Sequence, residues 1–303
     1  MKKRLITGAV YVVVMLGILA MKLFIPVTSD GLDFGGLGVD LLFWLISIIG
    51  AYEFLRAVGE VSPAQKWTAI ATCTLIIPTF VISRMVTIKI GKEPIPGVPS
   101  FTALLAVASL GAMVVASLSV FDHEKSTLKS TAYAETCILY CGALTCVGTN
   151  LNHMEVNSTA AILLLFFICP LVDTFAFFVG KMFGKALPYK LAPHVSPNKT
   201  IVGSVGGVIG GVIAGVLTWV LCEFTGLVDF QTSSKLPSAA VLILISLPTA
   251  VLAQLGDLFE SAVKRSCGIK DMGKLLPGHG GVLDRFDSTL FASVSIAVCF
   301  LMV

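Results

Sequence analysis

Thr159-Ala-Ala-Ile-Leu-Leu-Leu-Phe-Phe-Ile-Cys-Pro-Leu-Val-Asp173-Thr-Phe-Ala-Phe-Phe-Val-Gly180 runs for twenty-two residues with a single charge. About 20 apolar residues in a helix cross the roughly 30 Å hydrocarbon layer of a bilayer. The apolar positions are continuous rather than alternating, which disfavours strands, and only closed barrels put strands across lipid. Working outward, similar runs place candidate spans at about 5–26, 38–57, 67–87, 101–120, 131–149, 159–180, 202–224, 237–260 and 284–303. The 303 residues are 56% hydrophobic and 13% charged, and a soluble domain carries about 25% charged residues. The expectation is an all-α, polytopic integral membrane protein with about nine transmembrane helices.

Charge sets the orientation. With Lys2, Lys3 and Arg4 inside, sixteen of the 21 Lys and Arg residues fall on the cytoplasmic side, the bias that orients membrane helices. The N-terminus is therefore expected to be cytoplasmic; Arg84, Lys89 and Lys92 run against the bias. The first apolar run is longer than a signal-peptide core and lacks a small-residue cleavage site, so it reads as a retained helix. The stretches 181–200 and 261–287, richest in polar residues, then share the cytoplasmic face. The chain reads as one membrane domain over 1–303, with N-terminal helices in 1–158 and the chemistry-bearing region in 159–303. A net charge of +3 gives no case for nucleic acid. Seven of the eight cysteines, all but Cys267, lie in apolar segments. No Cys-x-x-Cys pair exists, so neither a disulfide framework nor a metal site is expected of them.

The polar island near the C-terminus is the exception to this apolar chain. Between Lys264 and Asp287 eight of twenty-four residues are charged: Lys264, Arg265, Lys270, Asp271, Lys274, Asp284, Arg285 and Asp287. Pro277, Gly278, Gly280 and Gly281 let its backbone turn tightly and approach a ligand. A loop that only sets topology needs basic residues, but not Asp284-Arg285-Phe286-Asp287. Asp284 and Asp287, three apart, share a face of any helix starting there. Asp173 is a carboxylate inside an apolar run, which is costly and points to function by default; pairing with a cation from another helix is its structural alternative. Asp257 closes Gln254-Leu-Gly-Asp257, and its alternative is an interfacial carboxylate facing water. Carboxylates without clustered histidines suit Mg²⁺ rather than zinc.

The other polar loop carries Ser196-Pro-Asn-Lys199-Thr200 directly before a glycine-rich span. Hydroxyl, ammonium and helix-start N–H groups together resemble a phosphate clamp, though not a Walker A loop. The glycines of that span also fit close helix packing. Of the histidines, His123 and His153 read as loop residues and His194 as a surface one, whereas His279 stands between two glycines of the island. Lysines, arginines and aspartates without an activated nucleophile fit phosphoryl or nucleotidyl transfer. A phosphate monoester is largely ionised near neutral pH and needs no strong base, so positioning and charge neutralisation carry the reaction. A transporter or lipid scaffold with a basic pocket, or an enzyme acting on a different lipid phosphate, remain open alternatives.

The residues Ser261-x-x-Lys264-Arg265-x4-Lys270-Asp271-x4-Leu276-Pro277-x-His279-Gly280-Gly281-x-x-Asp284-Arg285-x-Asp287 resemble the signature of the phosphatidate cytidylyltransferases. Gln254-x-Gly256-Asp257-x-x-Glu260-Ser261 extends the likeness. So do Asp173-x-x-Ala176-Phe177-x-x-Gly180-Lys181-x-x-Gly184-Lys185, Ser196-Pro197-x-Lys199-Thr200-x-x-Gly203 and Tyr52-Glu53-Phe54. The resemblance implies transfer of CMP from CTP to phosphatidate with Mg²⁺, as one ion or two, in a bacterial inner membrane with the site on the cytoplasmic side. It implies Asp257 and Asp284 as metal ligands. Lys264, Arg265, His279, Arg285 and Asp287 would surround the phosphates, with Asp173 joining the catalytic set. Ser196, Lys199, Thr200, Ser261, Lys270, Gly280 and Gly281 would bind substrate. CTP, phosphatidate and membrane lipid are the implied partners, and a homodimer stays open. Val202 stands where that family usually has an acidic residue, and Phe177 where it usually has Tyr.

Overall fold

The computed structural model describes residues 2–25, 33–89, 100–225, 228, 230–278 and 280–302. Among them the chain is helical almost throughout: α1 (Lys2–Phe24), α2 (Leu37–Val58), α3 (Pro63–Lys89), α4 (Ser100–Phe121), α5 (Leu128–Cys137), α6 (Leu144–Asn152), α7 (Ser158–Phe183), α8 (Ile201–Thr225), α9 (Ser238–Ser266) and α10 (Leu283–Phe300). A π-helical stretch, Ile138–Ala143, joins α5 to α6, so these form one rod. Among the described residues seven helices are long and apolar enough to cross a membrane: α1 (over Thr7–Phe24), α2, α3 (over Pro63–Arg84), α4, α7, α8 and α9. The α5–α6 rod and α10 fall outside that set, because the first is interrupted and the second opens with Asp284, Arg285 and Asp287. The buried apolar side chains form a single cluster drawn from α1 to α10.

Two boundaries differ from the sequence expectation. First, α9 continues to Ser266, so the connecting loop covers 267–282 rather than 261–287. The charged turn stays helical because Glu260 and Lys264 sit four residues apart and pair at 2.5 Å, a spacing that supports a helix. Second, the stretch 181–200 contains a short antiparallel hairpin, β1 (Lys190–Ala192) with β2 (Ser196–Thr200), registered Lys190 to Thr200 and Ala192 to Ser196. Strands of three and five residues leave no periodic trace in sequence.

Helix α8 is the spine of the C-terminal half. Gly203, Gly206 and Gly210 face α7, where a Cβ at Gly206 would lie 2.5 Å from Val179 and one at Gly203 would lie 2.9 Å from the Ala176 carbonyl. Gly207, Gly211 and Gly215 face α9, where side chains would collide with Gln254, Ala250 and Ser246. Two glycine rows, one toward each neighbour, thus let the backbones of α7 and α9 both come close to α8, as small residues do between membrane helices. This close packing brings Asp173 on α7 and Asp257 on α9 toward the same region.

The far end of the bundle is held by polar contacts. Lys22 at the end of α1 donates to Asp33 at 2.5 Å and to the Asn152 carbonyl at 3.3 Å. Asn152 Nδ2 donates to Asp40 Oδ1 at 3.0 Å, and His153 Nε2 lies 2.9 Å from Asp40 Oδ2. His153 is therefore a structural partner of a buried carboxylate, not a plain loop residue. The ends of α1, α2 and α6 are tied together there, and the start of α7 follows six residues later.

Candidate active site

Four elements converge: β2, the last turns of α9, the glycine-rich loop after it and the first turn of α10. On α9 Asp257, Glu260, Ser261 and Lys264 recur at three- and four-residue spacing and so line one face. Lys264, nearly buried, donates to Glu260 Oε2 at 2.5 Å and to Asp284 Oδ1 at 2.8 Å. The second oxygen of Asp284 accepts the backbone N–H of Met272 at 2.9 Å and of Gly281 at 2.8 Å. Asp284 is thus fixed by one ammonium and two amides, and the loop is folded around it. Gly280 has φ 86°, a left-handed value that disfavours any side chain, and a Cβ there would also lie 2.8 Å from Asp284 Oδ2.

Asp257 forms the second ion pair, with Lys199 of β2, while Ser261 Oγ donates to its other oxygen at 3.4 Å. Asp287, one turn along α10, accepts from the Ser288 N–H at 2.6 Å and the Ser288 hydroxyl at 3.2 Å. Its carboxyl and that of Glu260 approach each other, and Glu260 Oε1 is buried with no hydrogen-bond partner among the described residues. Asp173 lies within electrostatic reach of Asp257, Asp287, Lys199 and Arg285. It is deep in the bundle yet open, because its accessible surface is the wall of two cavities. One, about 470 Å³, opens among Phe177, Lys181, Asn198, Lys199, Thr200 and Asp257. The other, about 360 Å³, runs between α1, α7 and α10.

Other residues expected at the site make the following contacts. Arg265 donates to the Val195 carbonyl at 3.3 Å and to the Ile269 carbonyl at 3.0 Å, so it ties the hairpin turn to the end of α9. The Thr200 hydroxyl accepts the Gly203 N–H at 3.1 Å and caps the start of α8. Lys270 is exposed and lines a separate recess with Arg56 and Lys274. Ser196 sits in β2 opposite Ala192. His279 lies outside the described residues.

Two residues of the N-terminal half support the site. Glu53 of α2 is buried and accepts the N–H of Val282 at 3.2 Å and of Leu283 at 3.0 Å, the start of α10. Gly273 and Gly281 press against its carboxylate with no room for a Cβ. A negative charge at a helix start satisfies amides that have no partner within the helix. Only Tyr52-Glu53-Phe54 drew notice to this residue in sequence; nothing local reveals partners 229 and 230 positions away. Tyr140 sits in the π-helical stretch, a feature often found at functional sites. Its hydroxyl is buried with no hydrogen-bond partner among the described residues, in electrostatic reach of Asp287, Glu260 and Asp257. Its ring packs on Phe259 at 5.1 Å. It lay unmarked in an apolar run.

No three His, Cys, Asp or Glu side chains converge as a metal cage among the described residues. The donor set nevertheless fits Mg²⁺. That ion usually takes one or two carboxylates and completes its shell with water and substrate phosphates. Asp257 and Asp284 are such carboxylates, each already facing a cation. The carboxyl groups of Asp173, Asp257, Glu260, Asp284 and Asp287 stand here with the cations Lys181, Lys199, Lys264 and Arg285, so that charges of both signs meet in one region.

The sequence profile of the cytidylyltransferase family matches residues 2–303. A phosphatidate cytidylyltransferase of Staphylococcus haemolyticus is 30% identical over 281 residues, covering 90% of this chain and 92% of that protein. One from Staphylococcus aureus is 31% identical over 278 residues, again covering 90% and 92%. A match that runs the length of the chain, together with ordered cations and carboxylates at its motif, makes the chain a member of the cytidylyltransferase family, an enzyme of nucleotidyl transfer.

Proposed function

We propose that the enzyme transfers CMP from CTP to phosphatidate, giving CDP-diacylglycerol and pyrophosphate. The observation that carries this reading is the pair of lysine–aspartate contacts, Lys199 with Asp257 and Lys264 with Asp284, the first of them in the wall of a cavity that shares Asp173 with an apolar groove. A nucleotide triphosphate and a phosphate-headed lipid need cations, metal-binding carboxylates and a route to the bilayer. The curated relatives are named for this reaction.

One oxygen of the phosphatidate phosphate attacks the α-phosphorus of CTP. The new P–O bond forms as the bond from that phosphorus to the oxygen bridging the β-phosphate breaks, and the electron pair leaves with pyrophosphate. No general base is needed when the attacking monoester is already ionised. Lys199 and Lys264 supply fixed positive charge to the phosphates, and Arg285 does so from the lipid side. Asp284, braced by Met272 and Gly281, holds its position without rearranging. Mg²⁺, held by Asp257 and Asp284, would neutralise phosphate charge and align the two substrates. The charge bias, with sixteen of 21 basic residues inside, supports a site on the cytoplasmic side, and the bacterial relatives support the inner membrane as its location.

Purified protein in detergent, given CTP, phosphatidate and Mg²⁺, is expected to release pyrophosphate only when both substrates are present. Release from CTP alone, or none from well-folded protein, overturns the reading, and a lipid-binding protein without chemistry takes its place.

A further inference from the structure

The groove between α1, α7 and α10 is amphipathic along its length. Tyr11, Asp173, Arg285, Ser288 and Thr289 line one end; Met15, Leu16, Leu19, Leu165 and Phe166 line the rest. The order of residues fixes its direction. Thr7 Oγ1 lies 3.2 Å from the Pro277 carbonyl, and the Tyr11 ring meets Phe286 edge-on at 6.0 Å. The beginning of α1 is therefore anchored to the loop and to α10. The end of α1 is held at Asn152 by Lys22, beside the start of α7. Thus α1 and α7 run antiparallel, with Asp173 near Tyr11 and Leu165 near Leu19. The groove leads from the charged site away along α1 for about 12 Å, the rise of the eight residues from Tyr11 to Leu19.

Between its two anchored ends, helix α1 leaves one side uncovered. Val12 and Leu16 are more than half exposed, whereas Leu19 is buried, so the groove has an inner apolar floor and an open outer lip. Asp173 is common to this groove and to the cavity that contains Lys199 and Asp257. An anionic head at Arg285 and an apolar chain along Met15, Leu16 and Leu19 match the groove end for end. Resting on the proposed reaction, we infer that this groove receives one acyl chain of phosphatidate, and that Met15, Leu16 and Leu19 of α1 set which chain lengths the enzyme prefers. The lipid phosphate then reaches the wall formed by Asp173 from one side and the nucleotide reaches it from the other. Burial of each methylene along the groove adds to binding, so selectivity for chain length follows from how much of it is filled.

The test compares Met15→Trp and Leu16→Trp with wild type on dioleoyl and dihexanoyl phosphatidate, in mixed micelles. Val13→Trp, on a residue that does not line the groove and is 68% exposed, is the control. The ratio of kcat/KM for the long over the short lipid is expected to fall about tenfold in the two groove variants, the effect of roughly two methylenes losing contact. It should stay within about twofold in the control. A second measurement uses wild-type enzyme and phosphatidate carrying a diazirine near the chain terminus. Cross-linked peptides should map to α1 and α7 and disappear when excess unlabelled phosphatidate is added. An unchanged chain-length ratio, or labelling spread over the apolar surface and indifferent to competitor, overturns the inference. If both tryptophan variants fail to fold, the cross-link map on wild type decides alone. Wild type that releases no pyrophosphate with either lipid would instead count against the reaction itself.

Discussion

Asp284 shows how one side chain collects the surrounding chain. Its two oxygens take three donors, from Lys264, Met272 and Gly281, and an amide cannot replace them because its NH₂ would face an N–H or an ammonium. Asp284→Asn is therefore expected to reduce CTP- and phosphatidate-dependent pyrophosphate release at least about 100-fold, a loss of the order seen when a fixed electrostatic contact is removed. The variant should still elute as folded protein; activity within about threefold of wild type would remove Asp284 from the site. Lys264 is different in kind, since it also neutralises Glu260 in a place without solvent. Removing one partner of a buried ion pair costs about 3–5 kcal/mol because the other charge remains. Lys264→Met should thus lower Tm by at least about 5 °C as well as abolish turnover, and differential scanning fluorimetry in detergent checks it. An unchanged Tm would mean that Glu260 and Asp284 find other partners. The spacing of Asp284 and Asp287 made their common helix face legible in sequence, as the apolar run around Asp173 made that carboxylate stand out. The Lys264–Glu260 pair is equally open to reading at four residues apart, but in sequence Ser261 reads as the edge of a loop.

At the scale of the element, the helices carry two kinds of information, and only one is local. The glycine rows of α8 are visible as a pattern, and packing was among their readings; which neighbour each row meets is settled only by the fold. Gly210→Leu puts a side chain against the backbone of Leu171. Overpacking typically costs about 1–3 kcal/mol and more against backbone, so this variant should lose several degrees of Tm. Gly17→Ala on α1, where a Cβ meets nothing within 4 Å, should not lower Tm, since alanine favours the helix over glycine. Equal behaviour of the two would contradict the close approach of α7 to α8. Glu53 is the opposite case, since its partners are the start of α10 and two glycines of the loop, and no pattern near residue 53 announces them. Its carboxylate holds the loop that places Asp284, so Glu53→Gln should raise the Mg²⁺ concentration needed for half-maximal activity and lower kcat at least about tenfold. A residue that only stabilised the fold would lower Tm without moving the Mg²⁺ dependence. The hairpin was illegible for another reason, because three and five residues carry too little pattern to outweigh their polar composition.

For the whole molecule, the long apolar runs made the architecture legible, whereas orientation rests on a charge bias that Arg84, Lys89 and Lys92 oppose. The fold supplies a probe for it. Cys267 follows the last residue of α9 beside the site and, like Cys222 and Cys299, is partly buried, whereas the other five cysteines are buried; it alone of the eight lies outside the helices. If the N-terminus is inside, the end of α9 is inside as well, because the site's loop and the second turn of α1 meet at Thr7 and Pro277. A membrane-impermeant maleimide should then label Cys267 in inverted vesicles and leave it unlabelled in right-side-out ones until detergent is added; Cys267→Ser should remove the signal. Burial, and then the nearby Glu60, raise the thiol above its ordinary pKa. The reactive thiolate is accordingly scarcer at neutral pH, and labelling should speed up as pH rises through and beyond the usual thiol range. The inverted and intact vesicles therefore have to be compared at one alkaline pH, where a slow reaction is not mistaken for a protected side. Labelling of right-side-out vesicles before detergent is added would reverse the orientation, and with it the side from which CTP must arrive.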